Sequence, residues 1–138
     1  MSDCVFCKII KGKVPCTKIY EDEHNFVFLS ISPAVPEGGH TLVIPKKHYE
    51  HIDEMDEESY LNLMKTVHKF SKVLLKFGEG LNIVQNNHKI AGQVVPHVHF
   101  HLIPRFSDDH VEINYWKEHE FSKEKMKEVA EKIKKLSS

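Results

Sequence analysis

The chain alternates short apolar stretches with turn residues, which is the pattern of strands connected by turns. A two-residue turn at Asp22-Glu23 separates the first two stretches, and a loop with two prolines and two glycines at 32–39 precedes the third. Pro45 is expected to end that third strand, because proline cannot donate to a strand ladder. Strands are therefore predicted at residues 17–21, 24–31, 40–44, 81–85 and 97–103.

Two other segments have the three- and four-residue apolar spacing of amphipathic helices. Asp56 is the predicted N-cap of the first helix, which Gly78 and Gly80 are expected to end, and Ser122 can cap the second. The apolar positions are Tyr60, Leu63, Met64, Val67, Phe70, Leu74 and Phe77 in the first, and Met126, Val129, Ala130, Ile133 and Leu136, a predicted inner face, in the second. Strands paired by short turns, with one long helix between them, indicate an α+β domain with a mainly antiparallel sheet.

The last predicted strand alternates histidine with apolar residues, so it is expected to be half-buried. His97, His99 and His101 share one face, and the residues between them share the other, which would pack on the core. Neighbouring histidines on that face are expected roughly 6.5–7 Å apart, twice the rise per residue. Pro104 is expected to end the strand.

Three interpretations of the histidine row are open from the residues alone. The histidines can be a coincidence on an edge strand, or His-x-His can present two imidazoles to one metal ion. The row can also carry out phosphate chemistry, with one imidazole as nucleophile and another as donor.

The segment His97-Val98-His99-Phe100-His101-Leu102-Ile103 matches the signature of the histidine-triad (HIT) superfamily of nucleotidyl hydrolases and transferases at every position. This resemblance implies a HIT-like fold with a five-stranded sheet, and a homodimer in which two sheets join. It also implies cleavage of a purine nucleoside phosphoramidate, or a related adenylate, at the α-phosphate through a covalent nucleotidyl-histidine.

The resemblance also distributes roles among the histidines. His99 is the expected nucleophile, and its tautomer would be fixed if Nδ1–H donated to a backbone carbonyl. His101 is expected to donate to charge that builds in the transition state. His97 would brace His99 or bind metal, and His40 is expected to lie under the triad as a supporting residue.

Cys4 and Cys7 form a Cys-x-x-Cys pair, which is typical of half a zinc site or of a redox dithiol. The redox interpretation is weak because no strand is predicted before the pair. The resemblance implies a structural zinc whose other ligands are His48 and His97. Cys16 has no partner at ligand spacing.

The polar loop that enters the histidine strand is the expected phosphate-contacting segment. In the family, residues at the positions of Asn86 and of Gly92, Gln93 and Val94 contact the phosphate and leaving group, and glycine allows close backbone approach. Ser30 and Ile31 are assigned to the nucleotide in the same way. Two positions depart from the family pattern: many members have aspartate, which accepts both ribose hydroxyls, where this chain has Ser30, and serine where it has Val94.

The resemblance covers about residues 4–105, and the extension 106–138 is interpreted from its residues only. Its aromatic residues Tyr115, Trp116 and Phe121 are typical of a core or an interface. In the family architecture a C-terminal segment often reaches the partner's active site, which makes Trp116 a candidate for that contact.

Composition narrows the remaining classes of function. The 138 residues suit one domain, 1–138, and carry 19 Lys plus Arg against 20 Asp plus Glu, so neither nucleic acid nor a membrane is an expected partner. An N-terminus without an apolar core and only three cysteines favour a cytoplasmic protein. Alternative functions are a dinucleoside polyphosphate hydrolase, a nucleotide-binding regulatory dimer, and a metallohydrolase that activates water on the three histidines.

Overall fold

A computed structural model describes residues 3–113 and 115–137, so positions 1, 2, 114 and 138 of the predicted domain lie outside the described residues. The helices are α1 (Val5–Ile10), α2 (Glu57–Phe77) and α3 (Lys123–Ser137), and short 3₁₀ turns lie at Ile52–Glu54 and Lys89–Ala91. The strands are β1 (Lys18–Glu21), β2 (Asn25–Leu29), β3 (Thr41–Pro45), β4 (Gly80–Gln85) and β5 (Phe100–Arg105). They form one antiparallel sheet in the order β1-β2-β3-β5-β4. The predicted α+β class and five-stranded antiparallel sheet are confirmed.

Helix α2 covers one face of the sheet. Its predicted cap is present, since the Asp56 carboxylate accepts from the Ser59 backbone N–H at 2.7 Å. The helical spacing brings one stripe of side chains onto the sheet, and the resulting core is Leu63, Val67, Phe70 and Leu74 of α2 with Val27, Val43, Val98, Phe100 and Leu102. The face of the histidine strand that was expected to enter the core is therefore the face that α2 covers.

Helix α1, which the sequence pattern did not predict, covers the opposite face. Cys4 is its N-cap, and the Cys4 Sγ accepts from the Cys7 backbone N–H at 3.4 Å. Phe6 and Ile9 are the buried apolar residues of the helix, and they pack in a second core cluster with Phe26, Phe28, Leu42 and Ile44. This packing brings the Cys-x-x-Cys pair onto the side of the sheet that carries the histidines.

Three expectations for the histidine strand are wrong: where it starts, that it is half-buried, and where it ends. Regular pairing begins only at Phe100, and the histidine side is not open to solvent: His97 and His99 are 0% and 5% exposed. Pro104 also lies inside β5 rather than after it, because β3 pairs with β5 only as far as Leu102 and the ladder on that side has already ended. Pro45, in contrast, ends β3 as predicted and is its last residue.

The segment after β5 begins with a buried ion pair. The Asp109 carboxylate accepts from Arg105 Nε at 2.8 Å and from the Phe106 and Val111 backbone N–H groups at 2.9 Å. The Arg105 guanidinium, followed by these backbone donors, holds the pKa of Asp109 well below its ordinary range.

The predicted inner face of α3 is wrong within this chain, because no residue of α3 is buried in the described structure. Met126, Val129, Ile133 and Leu136 are all exposed. The helical spacing was correct, but nothing in the described part of the chain covers that face. Among the same described residues, no helix combines the length and the apolar character needed to cross a membrane.

Leu63→Ala should lower the free energy of unfolding by about 2–5 kcal/mol, because Leu63 is fully buried between α2 and the sheet. Leu61→Ala is the matched control on the same helix, where the side chain is 50% exposed, and should change it by less than about 1 kcal/mol. Urea unfolding of both variants makes the comparison. Equal losses would contradict the packing described for α2.

Candidate active site

A cleft of about 480 Å³ opens beside His99 and His101, on the side of the sheet that α1 covers. His99, His101 and His40 provide imidazoles at this cleft, and serine hydroxyls lie further along it. The rest of the lining is mainly apolar: Val5, Phe6, Ile9, Val14, Pro15, Cys16, Phe28, Ile31, Leu42, Val94 and Val95. A mainly apolar cleft with a few convergent polar groups is the usual form of a small-molecule site.

His99 is held in one tautomer. Its Nδ1 lies 2.7 Å from the backbone oxygen of His97, and because a carbonyl can only accept, Nδ1 carries the hydrogen. The Nε2 atom of the neutral ring therefore keeps its lone pair. Burial lowers the pKa of His99 below its ordinary value, and the Phe6 and His99 rings pack in a T-shaped contact with centroids 5.1 Å apart. His99 is thus an uncharged imidazole with one available nitrogen, as a nucleophile requires.

His101 is connected to the backbone N–H of Ala34 by two successive hydrogen bonds through His40. The Ala34 N–H donates to His40 Nδ1 at 3.0 Å, so the hydrogen of neutral His40 is on Nε2. That hydrogen points at His101 Nδ1, 2.9 Å away, which leaves neutral His101 with its own hydrogen on Nε2. Burial lowers the pKa of His101 to about 4 and also lowers that of His40. His40 therefore lies against His101 and directs the hydrogen of neutral His101 to Nε2, and its supporting role in the triad stays a prediction.

His97 is turned away from the other two triad histidines. Its Nε2 donates to the backbone oxygen of Pro45 at 2.8 Å, so Nδ1 carries a lone pair. That Nδ1 lies 3.4 Å from Cys4 Sγ and 3.2 Å from His48 Nδ1. The ring therefore does not serve the same ligand as His99, although the carbonyl of His97 orients His99.

Cys4, Cys7, His48 and His97 form a group that could hold a metal ion. One ligand atom from each lies within 4.8 Å of all the others, and Cys7 Sγ is 3.4 Å from His48 Nδ1. The donors fit a metal in their chemistry too, because two sulfurs and two imidazole nitrogens converge and the other nitrogen of His97 is already bonded. The four residues predicted as ligands are thus brought together.

The predicted nucleotide contacts lie around the cleft in different ways. Ser30 and Ile31 line it, and the Ser30 Oγ accepts from the Ser32 backbone N–H at 3.2 Å. Val94 also lines it and is 87% exposed. Continuing the β4–β5 register by one residue would place Asn86 opposite His99. Their contacts with a nucleotide stay predictions.

Gly92 and Gln93 do not line the cleft themselves. Gly92 has a φ of 98°, in the left-handed region that favours glycine, and a Cβ there would lie 3.5 Å from Asn86 Nδ2. Gln93 is buried, and its side-chain amide bonds only to backbone groups. The predicted nucleotide contact of Gln93 gave no indication that its side chain is bonded to three backbone groups.

Phe6 is not among the predicted site residues, yet its ring contacts both His97 and His99 at 5.9 and 5.1 Å between centroids. Two sequence features could have indicated it. Phe6 lies between the two cysteines, and four of the six residues of α1 are apolar: Val5, Phe6, Ile9 and Ile10. A helix of six residues is too short for a convincing periodic pattern.

Known proteins resemble this chain in sequence. Residues 11–108 match the family model of the HIT domain. An uncharacterized HIT-like protein of Methanocaldococcus jannaschii is 54% identical over 107 residues, which cover 77% of this chain and 81% of that protein. An adenosine 5'-monophosphoramidase of Schizosaccharomyces pombe is 39% identical over 130 residues, which cover 94% and 95%.

Solved structures of known proteins resemble this chain in fold. A protein of Streptococcus mutans superposes with a TM-score of 0.92 at 43% identity, covering 100% of this chain and 87% of that one. A zinc-bound histidine triad family protein of Mycobacterium smegmatis superposes with a TM-score of 0.71 at 34% identity, covering 85% of each chain.

The tautomers described above predict that His101 stays uncharged in mildly acidic solution. Because burial places its pKa near 4, its ring signals should not move between pH 8 and pH 5.5. An ordinary histidine, with a pKa of about 6.5, changes charge in that interval. Histidine NMR signals, assigned with the His101→Gln variant, make the measurement. Titration of His101 near pH 6.5 would contradict its burial beside His40.

Proposed function

The chain belongs to the HIT domain family, and on that premise we propose that it is a nucleotide hydrolase that cleaves purine nucleoside phosphoramidates or related adenylates at the α-phosphate. The relative from Schizosaccharomyces pombe, named an adenosine 5'-monophosphoramidase, supports this substrate class. The observation that carries the proposal is the bond from His99 Nδ1–H to the His97 carbonyl, because it leaves His99 Nε2 as a free nucleophile beside the cleft.

The first proposed step is attack by His99 Nε2 on the α-phosphorus. A nitrogen–phosphorus bond forms as the bond to the leaving amine breaks, and the amine departs with that electron pair and takes up one proton from water. The Nε2–H of His101 donates a hydrogen bond to oxygens that gain charge in the transition state. The His97 carbonyl continues to accept from His99 Nδ1–H, which stabilises the positive charge on the ring.

The second proposed step is hydrolysis of the nucleotidyl-His99. Water attacks phosphorus and loses one proton, which balances the proton taken up by the amine, and the bonding pair returns to His99 Nε2. Neutral His99 is regenerated with its hydrogen still on Nδ1. A metallohydrolase on three histidines is the less supported alternative, because His97 alone of the triad belongs to the metal-binding group found among the described residues.

We propose further that zinc occupies the Cys4, Cys7, His48 and His97 group. Two thiolates and two imidazoles are a donor set that tetrahedral structural zinc prefers, and the related structure from Mycobacterium smegmatis is zinc-bound. Zinc would supply folding free energy by joining α1 to the start of the histidine segment.

A homodimer in the cytoplasm is the proposed working form. The exposed aromatic residues Tyr115, Trp116 and Phe121 and the uncovered apolar face of α3 support a partner surface. Strand β4 is also at an edge of the sheet. Three unpaired thiols suit a reducing compartment.

His99→Ala should reduce turnover of an adenosine phosphoramidate to below about one percent of the wild-type rate, because loss of a nucleophile costs several decades. Nucleotide binding should survive, since the apolar side chains that line most of the cleft are kept. His68→Ala, an exposed histidine on α2, is the matched control and should keep the wild-type rate. Steady-state kinetics and equilibrium binding test this, and more than about one percent residual turnover would exclude covalent catalysis by His99.

Cys4→Ser should remove bound zinc and lower the melting temperature, because it deletes a ligand and loosens α1. Cys16→Ser is the control, since Cys16 is outside the metal-binding group, and it should keep one zinc per chain. Elemental analysis and thermal unfolding of both variants give the readout. Wild-type protein that purifies without zinc and gains no stability when zinc is added would sink the proposed site.

A further inference from the structure

Gln93 is placed where its side chain cannot meet a ligand without losing an existing bond. It is 5% exposed, and all its polar atoms are used. Its Oε1 accepts from the His88 backbone N–H at 2.7 Å, and its Nε2 donates to the backbone oxygens of Glu50 at 2.8 Å and Val95 at 3.1 Å. A buried amide with every donor and acceptor satisfied is a structural junction rather than a substrate contact.

One branch of this junction leads to the proposed nucleophile. The Val95 oxygen that accepts from Gln93 also accepts from the His97 backbone N–H at 2.8 Å. The His97 oxygen in turn accepts from His99 Nδ1 at 2.7 Å. Three successive hydrogen bonds thus connect the Gln93 amide with the His99 ring.

The other branch holds the loop that carries Gly92 and Val94. The Gln93 backbone N–H donates to the His88 oxygen at 3.1 Å. Because the Gln93 Oε1 also accepts from the His88 N–H, Gln93 bonds to both polar backbone groups of His88. His88 needs such support because its φ of 75° is in the region that side-chain-bearing residues rarely adopt. The bond to Glu50 then attaches the loop to the segment after β3.

A second set of contacts fixes the same loop to the same segment. The Ile52 backbone N–H donates to Asn87 Oδ1 at 2.8 Å, and the rings of His51 and His88 stack with centroids 3.8 Å apart. Among the residues that the structure describes, it is Gln93 that connects this attachment with the His99 branch through Val95.

We propose that Gln93 is a positioning residue that fixes the loop from His88 to Val94 relative to the His99 ring. The proposal rests on the proposed attack of His99 on phosphorus. In-line attack needs the reacting atoms about 3–3.5 Å apart, and a displacement of about 1 Å can cost on the order of 100-fold in rate. Gln93 would supply that alignment without touching the substrate.

Gln93→Met, in the full-length chain, removes the hydrogen bonds while nearly keeping side-chain volume. It should lower kcat for an adenosine phosphoramidate at least about tenfold and leave KM within about threefold, because the apolar cleft is untouched. Asn25→Leu is the matched control: Asn25 is also a buried amide, and its Nδ2 donates to Asn62 O at 3.0 Å and Thr66 Oγ1 at 2.9 Å, outside the cleft. It should lower the melting temperature but keep kcat within about twofold.

The ring tautomer of His99, read from ¹⁵N NMR of histidine-labelled protein, is the second readout. Wild-type and Asn25→Leu protein should show His99 with its hydrogen on Nδ1 only, and Gln93→Met should show a mixture. Gln93→Glu keeps the acceptor for the His88 N–H but loses both donations, so it takes the place of Gln93→Met if that variant does not fold.

If wild-type protein turns over the substrate, the kinetic comparison tests the positioning role of Gln93. A kcat that stays within twofold of wild type in the Gln93 variant, or that falls equally in Asn25→Leu, would overturn the proposal. Wild-type protein that neither turns over nor binds the phosphoramidate would overturn the proposed function instead. The His99 tautomer then decides the positioning role, and an unchanged Nδ1–H form in the Gln93 variant would reject it.

Discussion

The hydrogen bond from His99 Nδ1 to the backbone oxygen of His97 is the contact on which the chemistry of this site depends. It determines which nitrogen of His99 keeps a lone pair, and it requires the His97 backbone to be held still. His97 is held on three sides: its N–H donates to Val95, its Nε2 donates to Pro45, and its Nδ1 lies among the thiols and imidazole of the metal-binding group. A metal in that group would therefore support the proposed nucleophile through the backbone of one shared residue.

The two faces of the sheet have different roles. The face under α2 holds the main apolar core, which packs against β3 and β5 where they lie beside each other. The other face is covered by α1, whose Phe6 packs on His97 and His99 and whose cysteines complete the metal-binding group. Burial also lowers the pKa of His99, which favours the uncharged form of the proposed nucleophile.

Much of this fold could be predicted from the sequence because its main elements have strong periodic patterns. The apolar stripe of α2 and the alternation from His97 to Ile103 gave both the sheet and the face on which the histidines lie. Helix α1 was missed because it has six residues and a cysteine as its cap. The exposed face of α3 shows a different limit, since its spacing predicts burial but not what covers it. The sequence shows that Gln93 lies in the loop that resembles the phosphate-contacting loop of the family, which predicts a nucleotide contact. It does not show the bonds from the Gln93 side chain to the backbone oxygens of Glu50 and Val95.

The central claim is that His99 becomes covalently nucleotidylated, and the direct measurement is to trap that species. Protein mixed with an adenosine phosphoramidate for milliseconds would be quenched in neutral denaturant, digested, and mapped by mass spectrometry. Covalent catalysis predicts one adenylyl group on the peptide that contains His99, formed and lost at rates that match turnover. Product formation at the full rate with no adenylylated peptide at any time, or with the group on His101 instead, would contradict the account.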